Sequence, residues 1–312
     1  MHRVLLTPVL VAGMASAALG QASPDTPPSA NPARPTVTNP ATLPPVGYLQ
    51  FEQGYLGSLN SPNTASQYGV NQVTKIAVHP RLLFAISSQP FAVSTINGAA
   101  ITSRDAGAVQ VGFQAVLFTP TLAQPPSKSS TDTAPAASTP AAPASDGKSP
   151  VPTVAAGYFH TVYLGTAPDI DLGSPTNTVL MLLSGDFGGF HYDSNFIVNE
   201  QDGNSNVDGH GFRRAQYAQT LSVNHSVFNN PKLQLSVELY HFTQPLVGAT
   251  ASGTAVARAN LVDLLFALSY QVRPNLVLDG GFSHGFTSTS TRWQSFVGFT
   301  YLLPRRLWPE RK

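Results

Sequence analysis

The sequence has no cysteine and few charged residues for its length. The absence of cysteine among its 312 residues excludes disulfide bonds and metal sites built from thiolates. Charged residues make up 11% of the chain and the formal net charge is +1, whereas about 25% charged residues is typical of soluble domains. The chain is also not basic enough to indicate nucleic-acid binding. So little charge is typical of a protein whose surface faces lipid.

Long apolar runs are equally scarce. The first 20 residues combine Arg3, an apolar stretch and a small-x-small site that ends at Gly20, which predicts a secretory signal peptide over residues 1–20. The short apolar stretch, interrupted by Pro8 and Gly13, argues against a retained membrane helix. No later stretch reaches 18 apolar residues. We therefore expect no helical anchor after the signal.

The last third of the chain contains strictly alternating runs. Between residues 260 and 272 one set of alternate residues is apolar: Val262, Leu264, Phe266, Leu268, Tyr270 and Val272. The intervening set is largely polar or small: Asp263, Ala267, Ser269 and Gln271. Similar runs follow at about 276–286 and 293–303. A period of two predicts strands with one apolar and one polar face.

Two all-β folds produce such alternation, and strand length distinguishes them. A soluble sandwich buries its apolar face and has strands of about 5–6 residues. A transmembrane barrel turns its apolar face to lipid and needs about 9–11 residues per strand. The runs here have the longer length, and their apolar faces end in aromatic residues such as Phe286, Trp293 and Tyr301. The barrel is therefore favoured, with the soluble sandwich as the alternative.

Strands of the same type recur from residue 48 onward, and we count twelve. Short turns are expected after strands 2, 6, 8 and 10, and longer polar connections after the odd-numbered strands. Bacterial outer-membrane barrels have an even strand number, short periplasmic turns and longer outer loops. The sequence thus predicts an all-β, up-and-down antiparallel transmembrane β-barrel of about 12 strands in the outer membrane, with both termini in the periplasm.

Two Pro-rich segments flank or interrupt this pattern. Residues 21–45 are expected to form an extended, solvated, disordered tail. The barrel is assigned to residues 46–303 and a C-terminal tail to residues 304–312. Within the barrel, residues 119–152 are rich in Pro, Ala and Ser and predict a disordered insertion. This insertion follows strand 4, on the short-turn side, unless the strand count before it is off by one.

Several phrases resemble one protein family. They lie at residues 51–56, 167–171, 184–193, 241–245 and 298–304. They resemble outer-membrane transporters grouped in the meta-pathway phenol-degradation family, over residues 48–308 without the insertion. The resemblance implies a β-barrel that moves small or aromatic molecules.

The C-terminal strand also resembles an assembly signal of outer-membrane barrels. The matching residues are Gly298, Tyr301 and Leu303. The sequence departs from the signal at Phe296, where a polar residue is usual, and in the residues that follow Pro304. The resemblance implies that the barrel-assembly machinery is a partner, beside outer-membrane lipid.

The alternation places a set of charged side chains on the inward face: Glu52, Lys75, Arg214, Glu238, Asp263, Asp279 and Arg292. One hypothesis is a mixed-sign lining of a solute path, since charged rings set the selectivity of pores. The other is a set of internal ion pairs that fills a narrow barrel. Glu238 and Asp263 are the clearest inward positions, because their strands alternate most cleanly.

One loop resembles a calcium-binding sequence. Asp202, Asn204, Asn206 and Asp208 occupy alternate ligand positions of such a loop. However, Val207 replaces the required glycine and Arg213 replaces the bidentate glutamate. The sequence therefore favours a flexible loop without metal, and no cofactor is predicted.

An enzyme is not predicted. His225 and His241 could face lipid near Ser222 and Ser226, but the chain has no G-x-S-x-G nucleophile motif. We expect a channel or transporter that passes small solutes through a polar lumen, with the identity of the solute open. The alternative is a non-conducting structural barrel that tethers the envelope through its Pro-rich segments.

Overall fold

The chain forms one β-barrel. The computed structural model describes residues 28–61, 64–96, 102–120, 151–167, 176–204, 211–243 and 260–307, without the side chains of residues 96, 201–204 and 211–214. The strands are β1 (Leu49–Leu59), β2 (Thr64–His79), β3 (Leu82–Ile96), β4 (Thr102–Asp105), β5 (Val109–Phe118), β6 (Thr153–Tyr163), β7 (Asn177–Phe187), β8 (Phe190–Asn204), β9 (Gly211–Ser226), β10 (Leu233–Phe242), β11 (Leu261–Arg273), β12 (Leu276–Gly285) and β13 (Trp293–Leu302). No helix in these ranges is long and apolar enough to cross a membrane.

The sheet is closed and antiparallel. From β5 to β13 each strand pairs with the next in sequence, β13 pairs with β1, and β2 pairs with both β1 and β3. The first and last strands run in register from Gln50 opposite Leu302 to Leu59 opposite Trp293. Closure leaves no sheet edge, which is what a bilayer requires because lipid cannot hydrogen-bond to a free edge.

Segments β4 and β5 are two parts of one barrel strand. Both pair with β3, β5 along Leu82–Ser88 and β4 along Ala92–Thr95. The break lies opposite Pro90, which has no N–H to donate to the ladder. Gly107 bridges it by donating its N–H to the Gln89 carbonyl at 2.8 Å. The thirteen segments therefore make twelve barrel strands, which confirms the predicted number.

The outer wall is apolar and the inner wall is largely polar. On β10, Leu235 and Leu239 are exposed, whereas Ser236 and Glu238 between them are buried. The same alternation exposes Val297 and Trp293 on β13 and buries Thr300. A soluble sandwich would bury the apolar face, so that alternative is wrong. The fold is that of a closed outer-membrane β-barrel.

The two ends of the barrel differ. Tight connections at residues 80–81, 188–189, 227–232 and 274–275, together with the start of β1 and the end of β13, lie at one end, here called the turn end. The longer connections lie at the other, the loop end. β5 finishes and β6 begins at the turn end, so the strand count before the insertion is correct. The insertion itself lies outside the described residues from 121 to 150, as does the predicted signal peptide.

The Pro-rich segment before β1 is not a solvated tail. Residues 28–45, here called the lumen segment, lie inside the barrel, with Ala33, Thr38 and Ala41 buried. Six of these eighteen residues are proline, and proline has no N–H that would need a partner in the interior. The expectation of a disordered tail was therefore wrong for this part; residues 21–27 lie outside the description.

Candidate functional site

The lumen segment enters and leaves the barrel at the turn end. Ala30 donates its N–H to the Pro274 carbonyl at 2.8 Å, and Gly47 donates to the Ala77 carbonyl at 2.8 Å. Between these points the two limbs are joined by the Asn31 amide, which donates to the Thr42 carbonyl at 3.0 Å. The segment is thus a re-entrant loop that rises into the lumen and returns to the same end.

Side chains from eight strands hold this loop. Most are amides, hydroxyls or carboxylates that bond to backbone N–H and carbonyl groups of the segment. These bonds therefore depend on the backbone conformation of the segment more than on its side chains. The partners on the wall are Gln50, Glu52, Gln114, Ser184, Asn195, Thr220, Glu238, Gln271 and Asp279. Because these partners surround the segment, it lies across the lumen between them.

Glu238 makes the densest set of these contacts. Its carboxylate accepts the N–H of Val37 at 2.8 Å, the N–H of Thr38 at 2.7 Å and the Thr38 hydroxyl at 2.5 Å. The Thr38 hydroxyl also lies 2.7 Å from the Thr220 hydroxyl. Glu238 is fully buried on β10. It was predicted to line the lumen, and its role in this structure is to anchor the tip of the lumen segment.

Arg34 docks into a slot formed by two glycines. Gly54 on β1 lies opposite Gly298 on β13, and both point inward. A Cβ atom at either position would overlap the Arg34 guanidinium. That group forms an ion pair with Asp279 at 3.2 Å, on the next strand, β12. The glycines therefore provide the space in which Arg34 reaches its carboxylate.

Replacing Gly54 with valine should displace the lumen segment, because its side chain occupies the place of the guanidinium. We expect Gly54→Val and Arg34→Ala each to raise the single-channel conductance, and the double variant to add little to either. The matched control is Gly280→Val, at an outward-facing glycine of β12 with no contact to Arg34. A strictly additive double variant, or an equal effect of the control, would contradict the slot.

A second ion pair lies beside the segment. Lys75 on β2 contacts Glu52 on β1 at 2.7 Å. Glu52 also accepts the amide of Gln50 at 2.8 Å and the N–H of Ala33 at 3.2 Å. The structure thus places Glu52, Lys75 and Asp279 beside the segment, with Glu52 paired to Lys75 and Asp279 paired to Arg34.

The other predicted lumen residues lie elsewhere. Asp263 is inward and buried on β11, near the loop end. Arg292 is exposed in the connection before β13, just outside the strands. Arg214 pairs with Gln201 in the β8–β9 ladder, but its side chain lies outside the description. The calcium candidate also lies outside the description. This holds for the side chains of Asp202 and Asn204 and for the whole of Asn206 and Asp208.

Two cavities lie beside the lumen segment, one on either side. The larger, of about 410 Å³, lies against the β1–β8 wall and has an apolar side made by Leu83, Ala85, Phe159, Leu180, Leu182, Ile197 and Phe242. The smaller, of about 340 Å³, lies toward β8–β12 and has a more polar lining that includes His191, Asp193, Asn224, Gln234 and Gln271. Asn31, Arg34, Thr36 and Pro40 line both.

The Ser/His arrangement considered for an outer-wall enzyme is not assembled. Ser222 is inward and fully buried, whereas His225 is exposed three residues later on the same strand. His225 instead contacts the Gly189 carbonyl at 3.1 Å and packs near the Phe190 ring. In the described part of the chain, no group of three or more His, Asp or Glu residues could hold a metal ion.

Sequence reasoning missed the residues of the lumen segment itself. Arg34, Thr38 and Asn39 lie in a stretch whose composition is typical of a flexible tail. The available signal was Arg34, which is the sole charged residue of the segment. A single cation in a stretch that precedes a barrel with inward carboxylates is consistent with insertion.

Known structures share this fold. An outer-membrane channel from Pseudomonas putida F1 aligns with 84% of this chain and 98% of its own, at 10% identity and a TM-score of 0.56. The NanC porin aligns with 81% and 98%, at 10% identity and a TM-score of 0.46. A Pseudomonas aeruginosa FadL homologue aligns with 84% and 89%, at 8% identity and a TM-score of 0.42. No curated protein matches the chain by sequence.

A family model identifies the chain more directly. It matches residues 34–303, a range that begins at Arg34 within the lumen segment and ends just after β13. This range covers most of the chain and confirms the resemblance seen in the sequence phrases. The chain belongs to the family described as "Putative MetA-pathway of phenol degradation".

Proposed function

We propose that this barrel is a gated channel for small, uncharged, largely apolar molecules, including simple aromatic compounds, and that the lumen segment is its gate. The observation that carries the proposal is the larger cavity, which has an apolar side and lies directly against the lumen segment. The description of the family, which refers to phenol degradation, supports the aromatic class.

The size and surface of this cavity suit such a molecule. An apolar cavity of roughly 150 Å³ is sufficient to bind benzene, and the cavity here is about 410 Å³. Binding pockets commonly combine an apolar surface with a few placed polar groups. Ser87, Gln110 and Thr178 supply such groups here and could orient a hydroxyl.

The charges around the cavity favour an uncharged solute. Of its charged lining residues, Arg34 is paired with Asp279 and Lys75 with Glu52. A charged solute would have to break one of these pairs or stay without a counterion in a poorly solvated space. An uncharged solute needs neither, so these ion pairs act against charged competitors.

The topology allows the gate to open without opening the wall. Both limbs of the lumen segment reach the turn end, and its bonds to the wall are made with inward side chains except at the two entry points. Withdrawal of the loop therefore leaves the strand ladder intact. We assign the turn end, with both termini, to the periplasm, because short turns are periplasmic in outer-membrane barrels.

The closing strand supports the proposed assembly partner. β13 includes Gly298 and Tyr301 and pairs with β1 along its whole length. β13 is the strand that closes the barrel. Binding of its end by the barrel-assembly machinery would therefore couple binding to closure of the barrel.

Phenol should interrupt the ion current through the single channel in planar bilayers, since an occupied cavity narrows the path. We expect Leu180→Asn, which places an amide in the apolar side of the cavity, to weaken this block about tenfold. Leu265→Asn is the control, because Leu265 is also inward and buried but does not line the cavity. Benzenesulfonate, which is charged, should block less. Equal block by both compounds, or equal loss in both variants, would contradict the proposal.

A non-conducting barrel is the second candidate, and the extensive bonding of the lumen segment favours it. The two candidates differ when the segment is removed. A channel then conducts more strongly and selects small molecules in the exposed cavity. A barrel that only tethers the envelope has no reason to select them.

A further inference from the structure

A row of polar side chains crosses the outer wall on three adjacent strands. Gln53 on β1 lies directly opposite Gln72 on β2, and Gln72 lies opposite Ser88 on β3. All three alternate with inward residues, such as Glu52 and Gly54 on either side of Gln53, so they face outward. The neighbouring outward residue Thr74 extends the polar row along β2.

This row lies within the apolar band. On β1 the outward neighbours of Gln53 are Phe51 and Tyr55, and Tyr55 stacks against Tyr68 of β2 with ring centroids 6.2 Å apart. On β3, Ile86 and Phe91 are exposed on either side of Ser88. Outward positions in such a band meet lipid, where an unsatisfied amide is unfavourable.

The two glutamine amides have no hydrogen-bond partner among the described residues. Two outward polar side chains on the opposite wall do have partners. Ser194 donates to the Thr220 carbonyl at 3.0 Å, and His241 lies 3.2 Å from the Asn260 amide. The β1–β3 wall thus presents free donors and acceptors in a contiguous row on adjacent strands.

We propose that this row, defined by Gln53, Gln72, Ser88 and Thr74, is the contact surface for a second copy of this chain in the membrane. An isologous contact about a two-fold axis brings the same residues together from both copies. A primary amide carries both donors and an acceptor, so a row of amides complements itself. Glutamine and serine side chains are known to hold membrane segments together in this way.

The absence of charge on this surface favours a second copy of the chain over a lipid headgroup. The row is uncharged and contains no Arg or Lys to bind a lipid phosphate. The aromatic and aliphatic residues around it, including Phe51, Ile86 and Tyr55, provide the apolar contact that surrounds the amides. The inference concerns the outer wall alone and does not depend on passage through the lumen.

The natural absence of cysteine provides the test. In proteoliposomes, Gln72→Cys should form a disulfide-linked dimer under mild oxidation, because the row lies at the two-fold axis. Leu239→Cys, at an exposed outward position of β10, is the matched control and should stay monomeric. Equal cross-linking of both variants would show random collision and overturn the proposal, as would the absence of a Gln72→Cys dimer.

A second measurement separates association from folding. The double variant Gln53→Leu/Gln72→Leu makes the wall more apolar, so its barrel should fold and show the usual heat-modifiable gel mobility. We expect its dimer dissociation constant in lipid, measured by energy transfer between labelled copies, to rise about tenfold or more. Gln219→Leu, which removes a lipid-facing glutamine from β9, should leave the constant unchanged. An unchanged constant in the double variant would overturn the proposal.

Discussion

Removal of the N-terminal part of the chain up to residue 43 should raise the single-channel conductance of the refolded barrel several-fold. The shortened chain lacks the loop that eight strands hold in the lumen, so the two cavities of about 410 Å³ and 340 Å³ become one continuous space. The wall should still close, since the β1–β13 ladder uses no residue of the removed segment. Conductance in planar bilayers measures the effect directly.

The truncated barrel must be shown to be folded before its conductance is compared. Heat-modifiable mobility and β-sheet circular dichroism should match those of the full mature chain. Carboxylates exposed by the truncation, namely Glu52, Glu238 and Asp279, should make the open lumen more cation-selective. A folded truncation with unchanged conductance would show that the lumen segment is not the barrier.

Glu238→Ala is expected to release the lumen segment without shortening the chain. The substitution leaves two backbone N–H groups and the Thr38 hydroxyl without their acceptor. Bonds to a charged acceptor contribute about 1.5–3 kcal/mol each, and water that enters the lumen replaces part of this. We expect the inserted state to lose about 3 kcal/mol, or roughly a hundredfold in the ratio of inserted to released segment.

Two variants test the origin of this effect. Glu238→Gln keeps one acceptor oxygen and should release the segment less than Glu238→Ala does. Thr300→Val removes an inward, buried hydroxyl that lacks a partner in the described part of the chain, so it should change little. Protease accessibility of residues 28–45 and open-channel probability should follow the same order. If Thr300→Val matches Glu238→Ala, the effect is general loosening of the wall.

The wall of the barrel was predictable because the alternation that defines each strand lies in a short stretch of sequence. The alternation of Leu235 and Leu239 with Ser236 and Glu238 sets which side chains face lipid, and no distant residue is needed to read it. Strand length and the spacing of short and long connections then gave the barrel, its twelve strands and its two unlike ends. The interrupted strand at β4 and β5 was not predicted, because the break depends on Pro90 of the neighbouring strand.

The content of the lumen was decided by tertiary structure alone. Thr38 and Glu238 are 200 residues apart, and Arg34 and Asp279 are 245 apart. Composition indicated a solvated tail for residues 28–45, since proline, alanine and threonine do not build a core by themselves. Once the barrel closes, however, inward carboxylates and amides from eight strands converge on one space and need partners. The sequence by itself determined the wall, and only closure of the wall could show that the chain's own N-terminal segment supplies those partners.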